Sequence, residues 1–242
     1  MSSNPLVVVP MAGLGSRFAQ RGWKIPKPFI EVKGKMMVER VLESLAIPDV
    51  EFVLIVRDEF LRHHPDKIEQ LQQRFPATIA TVRAVTAGAA CSVLAARHAF
   101  RNRSIVVADS DTLYRPPVFQ NFVQDAHDRG LDVSLLTALG DHPAFSYVRI
   151  REDGMAAEIA EKRVISRHAV CGAYYFRDAN ALVERVTDMM IYGQTVNSEY
   201  YMSQACQRFV EDGCSVGIYE VSRTDVLCMG TPEQLEECLP RL

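Results

Sequence analysis

No apolar run in this 242-residue chain approaches the ~20 residues that a membrane-spanning helix needs. Met1 to Pro5 also lacks the basic segment and apolar core of a secretory leader, so a cytoplasmic protein with no membrane partner is expected. Excess basic charge is missing as well: 27 lysines and arginines face 30 aspartates and glutamates, for a net charge of -3. That balance argues against a nucleic-acid partner and leaves a few local cations to handle any phosphate. The six cysteines (Cys91, Cys171, Cys206, Cys214, Cys228 and Cys238) contain no C-x-x-C pair, so a zinc site is not expected and the thiols should be reduced. Repeats and low-complexity linkers are absent too. With 48% apolar residues the chain has the means to bury one substantial core, and a single domain over residues 1–242 is the expectation.

What the chain does contain is concentrated near its start. Residues 8 to 28 read VVPMAGLGSRFAQRGWKIPKP, an apolar strand running into a glycine-punctuated loop and then a Pro-Lys-Pro clip. Gly13 and Gly15 allow positive φ and a close approach of the backbone to a phosphate, with N–H groups pointing inward. A helix should open near Ser16, placing its positive dipole end by the anion. Arg17, in that first turn, carries a planar donor fork suited to phosphate oxygens. Pro26 and Pro28 restrict the backbone around Lys27, so a mobile cation sits on a stiff stem. A glycine pair alone is only a strand-to-helix turn; two fixed cations beside it point to a nucleoside triphosphate.

Further along, Leu6 to Val9, Phe52 to Val56 and Ile105 to Ala108 read as buried strands. Between the first two, Met37, Val38, Val41, Leu42 and Leu45 mark one helix face, with Glu39, Arg40 and Glu43 opposite. Ala89 to Phe100 reads as another helix. This alternation predicts an α/β fold: a Rossmann-like three-layer α/β/α sandwich with a mostly parallel, mixed central sheet. Past residue 130, Asp132 to Ala138, Tyr147 to Arg151, Ala156 to Glu161 and Val170 to Phe176 form a small β-rich region. Helices are expected over Asn180 to Met190 and Ser198 to Val210, a strand over Ser215 to Val221, and a last helix capped by Thr231 with Pro232 and Gln234. The half up to about residue 130 should bind nucleotide and the half from about 131 the acceptor. His63 and His64 read as solvated loop residues.

Asp109-Ser110-Asp111 follows the apolar run IVVA, so two carboxylates emerge at a strand end, a common way to hold magnesium beside substrate phosphates. The set G-x-G-x-R, with the strand before it, the helix after it and the P-K-P clip, resembles the signature of the sugar-phosphate nucleotidyltransferases. The likeness runs from Val7 to about Leu235 and is strongest at the N-terminus. It implies condensation of a nucleoside triphosphate with a sugar 1-phosphate, releasing pyrophosphate, in nucleotide-sugar and polysaccharide biosynthesis. It also implies Mg2+ on Asp111, with Asp109 a second candidate, and Arg17 and Lys27 beside Asp111 as the catalytic set. Met11, Ala12, Gly13, Gly15, Ser16, Thr86 and Gly88 would line the nucleotide. Glu161, Lys162, Gly172 and Glu199 would meet the acceptor, Glu199 by opening the helix SEYYMSQA. Two departures stand out: Arg163 replaces a proline that often follows the Glu-Lys pair, and Cys228 stands where relatives often carry an aspartate, although Asp225 is nearby.

Three other readings compete. The acceptor could be a non-sugar phosphate such as phosphocholine. Asp109-x-Asp111 is also the D-x-D of nucleotide-sugar glycosyltransferases, which have no use for Arg17 and the clip. Cys228 raises a silent nucleotide or nucleotide-sugar sensor. A homodimer is the commonest assembly for such a chain.

Overall fold

The computed structural model describes residues 4–193 and 195–242. A nine-stranded sheet forms its centre. In chain order its strands are β1 (Leu6–Pro10), β2 (Glu51–Arg57), β3 (Ala77–Val82), β4 (Ile105–Ala108), β5 (Val133–Leu139), β6 (Tyr147–Ile150), β7 (Ala156–Ala160), β8 (His168–Phe176) and β9 (Val216–Val221). Across the sheet they lie β9-β5-β8-β4-β1-β2-β3, with the β6-β7 hairpin joined to the first residues of β8. β1, β2, β3 and β4 are parallel, β9 runs parallel to β5, and β8 is antiparallel to both β4 and β5. Valine and isoleucine dominate β1, β2 and β4 because both faces of those strands are covered.

One apolar layer joins Val7, Val9, Leu54 and Val106 to the helices Met37–Ser44 and Val118–Asp128. The other joins Val8, Val53, Ile55 and Val107 to Ala179–Tyr192 and Met202–Glu211. The expected three-layer α/β/α architecture is thus what forms. The carboxyl ends of β1, β2 and β4 open on one edge, where ligands bind in such sheets.

Several elements differ from expectation. Ala89 to Phe100 is a five-residue α-turn, Ala89–Val93, that tightens into a 3-10 helix over Leu94–Ala99. The helix expected from Ser198 begins only at Met202, because Asn197 and Ser198 adopt positive φ and Glu199 pairs with Val196 in an isolated bridge. Glu39, expected on the solvent face of its helix, is buried. The helix Pro65–Arg74, which periodicity did not mark, lies over it and supplies Gln70 and Arg74 to its carboxylate. His63 ends a short helix, Asp58–His63, and His64 is half-buried with its ring 5.5 Å from that of Phe29.

Candidate active site

The loop after β1 folds as the glycines require, with one difference. Gly15 takes φ +61° and starts the helix Ser16–Gln20. A Cβ there would lie 3.0 Å from the Cβ of Lys27, so the bare backbone lets the loop pack on the Pro26–Pro28 clip. Gly13 is not in the positive-φ region, and nothing lies within 4 Å of where its Cβ would be. Its missing side chain leaves open space in the cleft rather than relieving backbone strain. Met11 and Ala12 form the buried inner wall of the loop, and the Met11 N–H donates to the Ile55 carbonyl at 2.9 Å.

These residues border a cleft of about 360 Å³ that also meets Ser16, Arg17, Lys27, Thr86, Gly88, Asp111, Glu199 and Gly230. The Lys27 ammonium lies 2.5 Å from Asp111 Oδ2, with both side chains largely shielded from solvent. Burial alone would lower the pKa of Lys27; the charge and hydrogen bond of Asp111, helped by Asp109, outweigh it and shift it upward. Burial likewise pushes Asp111 up, but Lys27, a hydrogen bond from Thr112 and the charge of Arg17 bring it below the usual carboxylate range. Arg17, although exposed, therefore acts on the same point as Lys27. An ionised carboxylate and two cations face one open space.

Asp109 is set differently. Its N–H donates to the Gly172 carbonyl at 2.8 Å. Gly172 takes φ +75° in a break of register along β8, and a Cβ there would fall 2.5 Å from Asp109 Oδ2. Burial, then the neighbouring Asp111, raise Asp109 to about 7. The two aspartates of the D-x-D thus differ: Asp111 opens on the cleft and Asp109 lies against the backbone of Gly172.

Behind Asp111 runs a two-stranded ribbon, Thr112–Tyr114 with Val226–Cys228, in which Cys228 faces Thr112. The Met229 N–H donates to the Asp111 carbonyl at 2.7 Å. Burial, then the charge of Asp111, push the Cys228 thiol up to about 12, so a protonated sulfur stands in that position. Among the described residues no group of three histidine, cysteine, aspartate or glutamate side chains is arranged to hold a metal ion.

The Thr86–Gly88 loop closes the far side. Thr86 Oγ1 lies 3.1 Å from the Gly88 carbonyl and 2.6 Å from Ser92 Oγ, so its hydroxyl is engaged within the loop. Gly88, at φ +111°, packs so closely that a Cβ would stand 2.3 Å from the Tyr200 carbonyl oxygen, and the Tyr200 N–H donates to the Ala87 carbonyl at 2.7 Å. The segment carrying Glu199 is thereby stitched to the loop carrying Thr86.

Glu161 and Lys162 are held by residues that one-dimensional reading missed. Ser146 and Ser203, both buried, donate to the same carboxylate oxygen of Glu161, with Ser203 at 2.6 Å. Lys162 has φ +52°, uncommon for a residue with a side chain, and its ammonium lies 4.4 Å from the centre of the Tyr201 ring while bonding the hydroxyl. Burial, then a hydrogen bond with the Glu199 carboxylate, raise the pKa of Tyr201. Tyr201 therefore bridges Lys162 and Glu199. Serines and tyrosines at these separations carry no motif; only the fold brings them to Glu161.

Fold and cleft together define an α/β nucleotidyltransferase. The chain belongs to the MobA-like NTP transferase domain family, whose model matches residues 7–172. It is 27% identical over 226 residues to the bifunctional protein GlmU of Bacillus velezensis, covering 88% of this chain and 46% of that protein. The chain spans about half the length of the GlmU relatives it matches. A nucleoside-diphosphate-sugar pyrophosphorylase from Vibrio cholerae superposes with TM-score 0.84 at 24% identity, covering 97% of this chain and 100% of the other. An inositol-1-phosphate CTP transferase from T. maritima does so with TM-score 0.73 at 17% identity, over 97% and 94% of the two chains. No helix among the described residues is long and apolar enough to cross a membrane.

Proposed function

We propose that the chain condenses a nucleoside triphosphate with a sugar 1-phosphate to give a nucleoside-diphosphate sugar and pyrophosphate. The observation that carries this reading is the ion pair of Lys27 with Asp111 at the mouth of the glycine loop, in a cleft that Arg17 also lines. An acceptor phosphate oxygen attacks the α-phosphorus, the bond from that phosphorus to the bridging oxygen of the β-phosphate breaks, and the electron pair leaves with pyrophosphate. Such transfers need alignment and charge neutralisation rather than a protein nucleophile. Arg17 neutralises the departing pyrophosphate and Lys27 the α-phosphate. Glu161, set by Ser146 and Ser203, and Glu199, set by Tyr201, accept hydrogen bonds from acceptor hydroxyls. Gly172, buried with the Asp109 carboxylate against its backbone, makes room for that carboxylate behind the acceptor side.

Asp111 fits a magnesium site, because Mg2+ is commonly held by one or two carboxylates plus substrate phosphates and Asp111 is ionised and open to the cleft. When bound, the ion would offset the charge of the triphosphate and the leaving pyrophosphate. Cys228, a protonated thiol, is a poor hard-cation ligand, so Asp111 would be the residue that holds the ion, together with phosphate oxygens of the nucleotide.

Asp111→Asn tests this directly. Pyrophosphate release should fall by about 100-fold or more at saturating substrates, the scale of removing one preorganised transition-state group, while far-UV circular dichroism stays native. Undiminished turnover in that variant would remove Asp111 from the mechanism.

A further inference from the structure

On the other side of the glycine loop lies a separate pocket of about 260 Å³. It shares Gly15 and Lys27 with the nucleotide cleft, and its remaining polar walls are Lys24, Arg57, His63, His64 and one acid, Glu59. Arg57 sits at the carboxyl end of β2, the same edge of the sheet as the active site, with its guanidinium 4.9 Å from the centre of the Phe60 ring. One of its terminal nitrogens pairs with Glu59 at 2.7 Å, while its buried Nε has no hydrogen-bond partner. Lysine, arginine and two imidazoles around one small space offer an oxyanion several donors.

We infer that this pocket binds a phosphate-class oxyanion across the loop from the nucleotide cleft, with Arg57 and Lys24 as its principal donors. Free pyrophosphate and the distal phosphates of the bound nucleotide share that chemistry, and both are on hand if the chain is a nucleotidyltransferase, the one point at which this inference rests on the proposed function. The shared loop couples the two spaces, because an anion held behind Gly15 lies against the backbone that also contacts Lys27.

The test is 1H–13C NMR of the His63 and His64 Cε1–H resonances in the full chain at fixed pH, with inorganic pyrophosphate added. Saturable shifts are expected in the unaltered protein, with affinity at least tenfold weaker in both Lys24→Ala and Arg57→Gln. Lys24 is exposed, so its variant remains informative if Arg57→Gln proves unstable. A non-hydrolysable triphosphate that moves both resonances where the nucleoside monophosphate does not identifies the nucleotide's own tail as the occupant. Pyrophosphate shifts that persist on top of the saturating analogue identify the free anion. An adventitious ion only, seen as weak non-saturating shifts or as binding unchanged in both variants, overturns the inference. Binding is read without turnover, so this result and that of the Asp111→Asn assay are independent.

Discussion

Gly13 and Gly88 border the same cleft for opposite physical reasons, and the difference is measurable. At Gly13 a methyl group meets no protein atom and the backbone is ordinary, so Gly13→Ala should leave the melting temperature within about 2 °C while weakening nucleotide binding, because only a ligand comes that close. At Gly88 the backbone is at φ +111° and the methyl would strike the Tyr200 carbonyl, so Gly88→Ala should cost about 2 kcal/mol or more in chemical unfolding. Equal effects of the two substitutions on stability and binding would contradict this division. Both glycines could be read in the sequence as candidates to line a nucleotide. That the fold itself needs Gly88 could not, because that depends on Tyr200, more than a hundred residues away. The same holds for Glu161: its presence could be read, but Ser146 and Ser203, which fix one carboxylate oxygen, gain meaning only when three distant segments meet.

At the scale of elements, β1, β2 and β4 were readable because strands buried on both faces carry uninterrupted runs of branched apolar residues. β3 lies at the sheet edge, half covered, and its sequence ATIATV has no such run. The helix Pro65–Arg74 buries only Ile68 and Leu71, too few to announce a period, and yet it turns Glu39 from a surface residue into a buried one. That carboxylate accepts from the Met36 N–H, Gln70 and Arg74, uniting two helices and a turn. Glu39→Ala should therefore destabilise the fold by about 1–3 kcal/mol, as when buried donors lose their acceptor; equilibrium urea unfolding showing under 0.5 kcal/mol would refute the buried role.

The start of β5 is fastened to the start of β9 by Asp132, whose carboxylate accepts from both the N–H and the hydroxyl of Ser215. Burial would raise its pKa, but those two hydrogen bonds, with the charges of Arg177 and Arg185, hold it below its ordinary 3.8. A depressed carboxyl contributes stability above its unfolded value, and that contribution is lost as the pH falls through the lower folded value. Asp132→Asn should accordingly lower the urea midpoint near neutrality, and its gap from the unaltered chain should close below about pH 4. A gap independent of pH would show that the carboxylate charge is not what the serine stabilises.

Over the whole molecule, the N-terminal strands and the β-rich region past residue 130 are parts of one continuous sheet, joined again above it where Tyr200 bonds the Ala87 carbonyl and packs on Gly88. The cleft edge follows from strand order: the glycine loop after β1 and Asp111 after β4 are adjacent because those strands pair in parallel. Topology of this kind could be anticipated from alternating strands and helices. The β-rich region past residue 130 was legible only in outline, since β8 changes partners at Gly172, with β6 beside its first residues and β4 beside its last, and no local pattern encodes that exchange.

The most direct measurement of the central claim is pyrophosphate release with magnesium, each nucleoside triphosphate being tried against sugar 1-phosphates and small phosphorylated alcohols. The account predicts pyrophosphate in equal amount to a nucleoside-diphosphate sugar, formed only when one triphosphate and one sugar 1-phosphate are both present. Release with phosphorylated alcohols alone would contradict the sugar assignment. A nucleoside diphosphate released from a nucleotide sugar, with no pyrophosphate from any pair, would contradict nucleotidyl transfer itself.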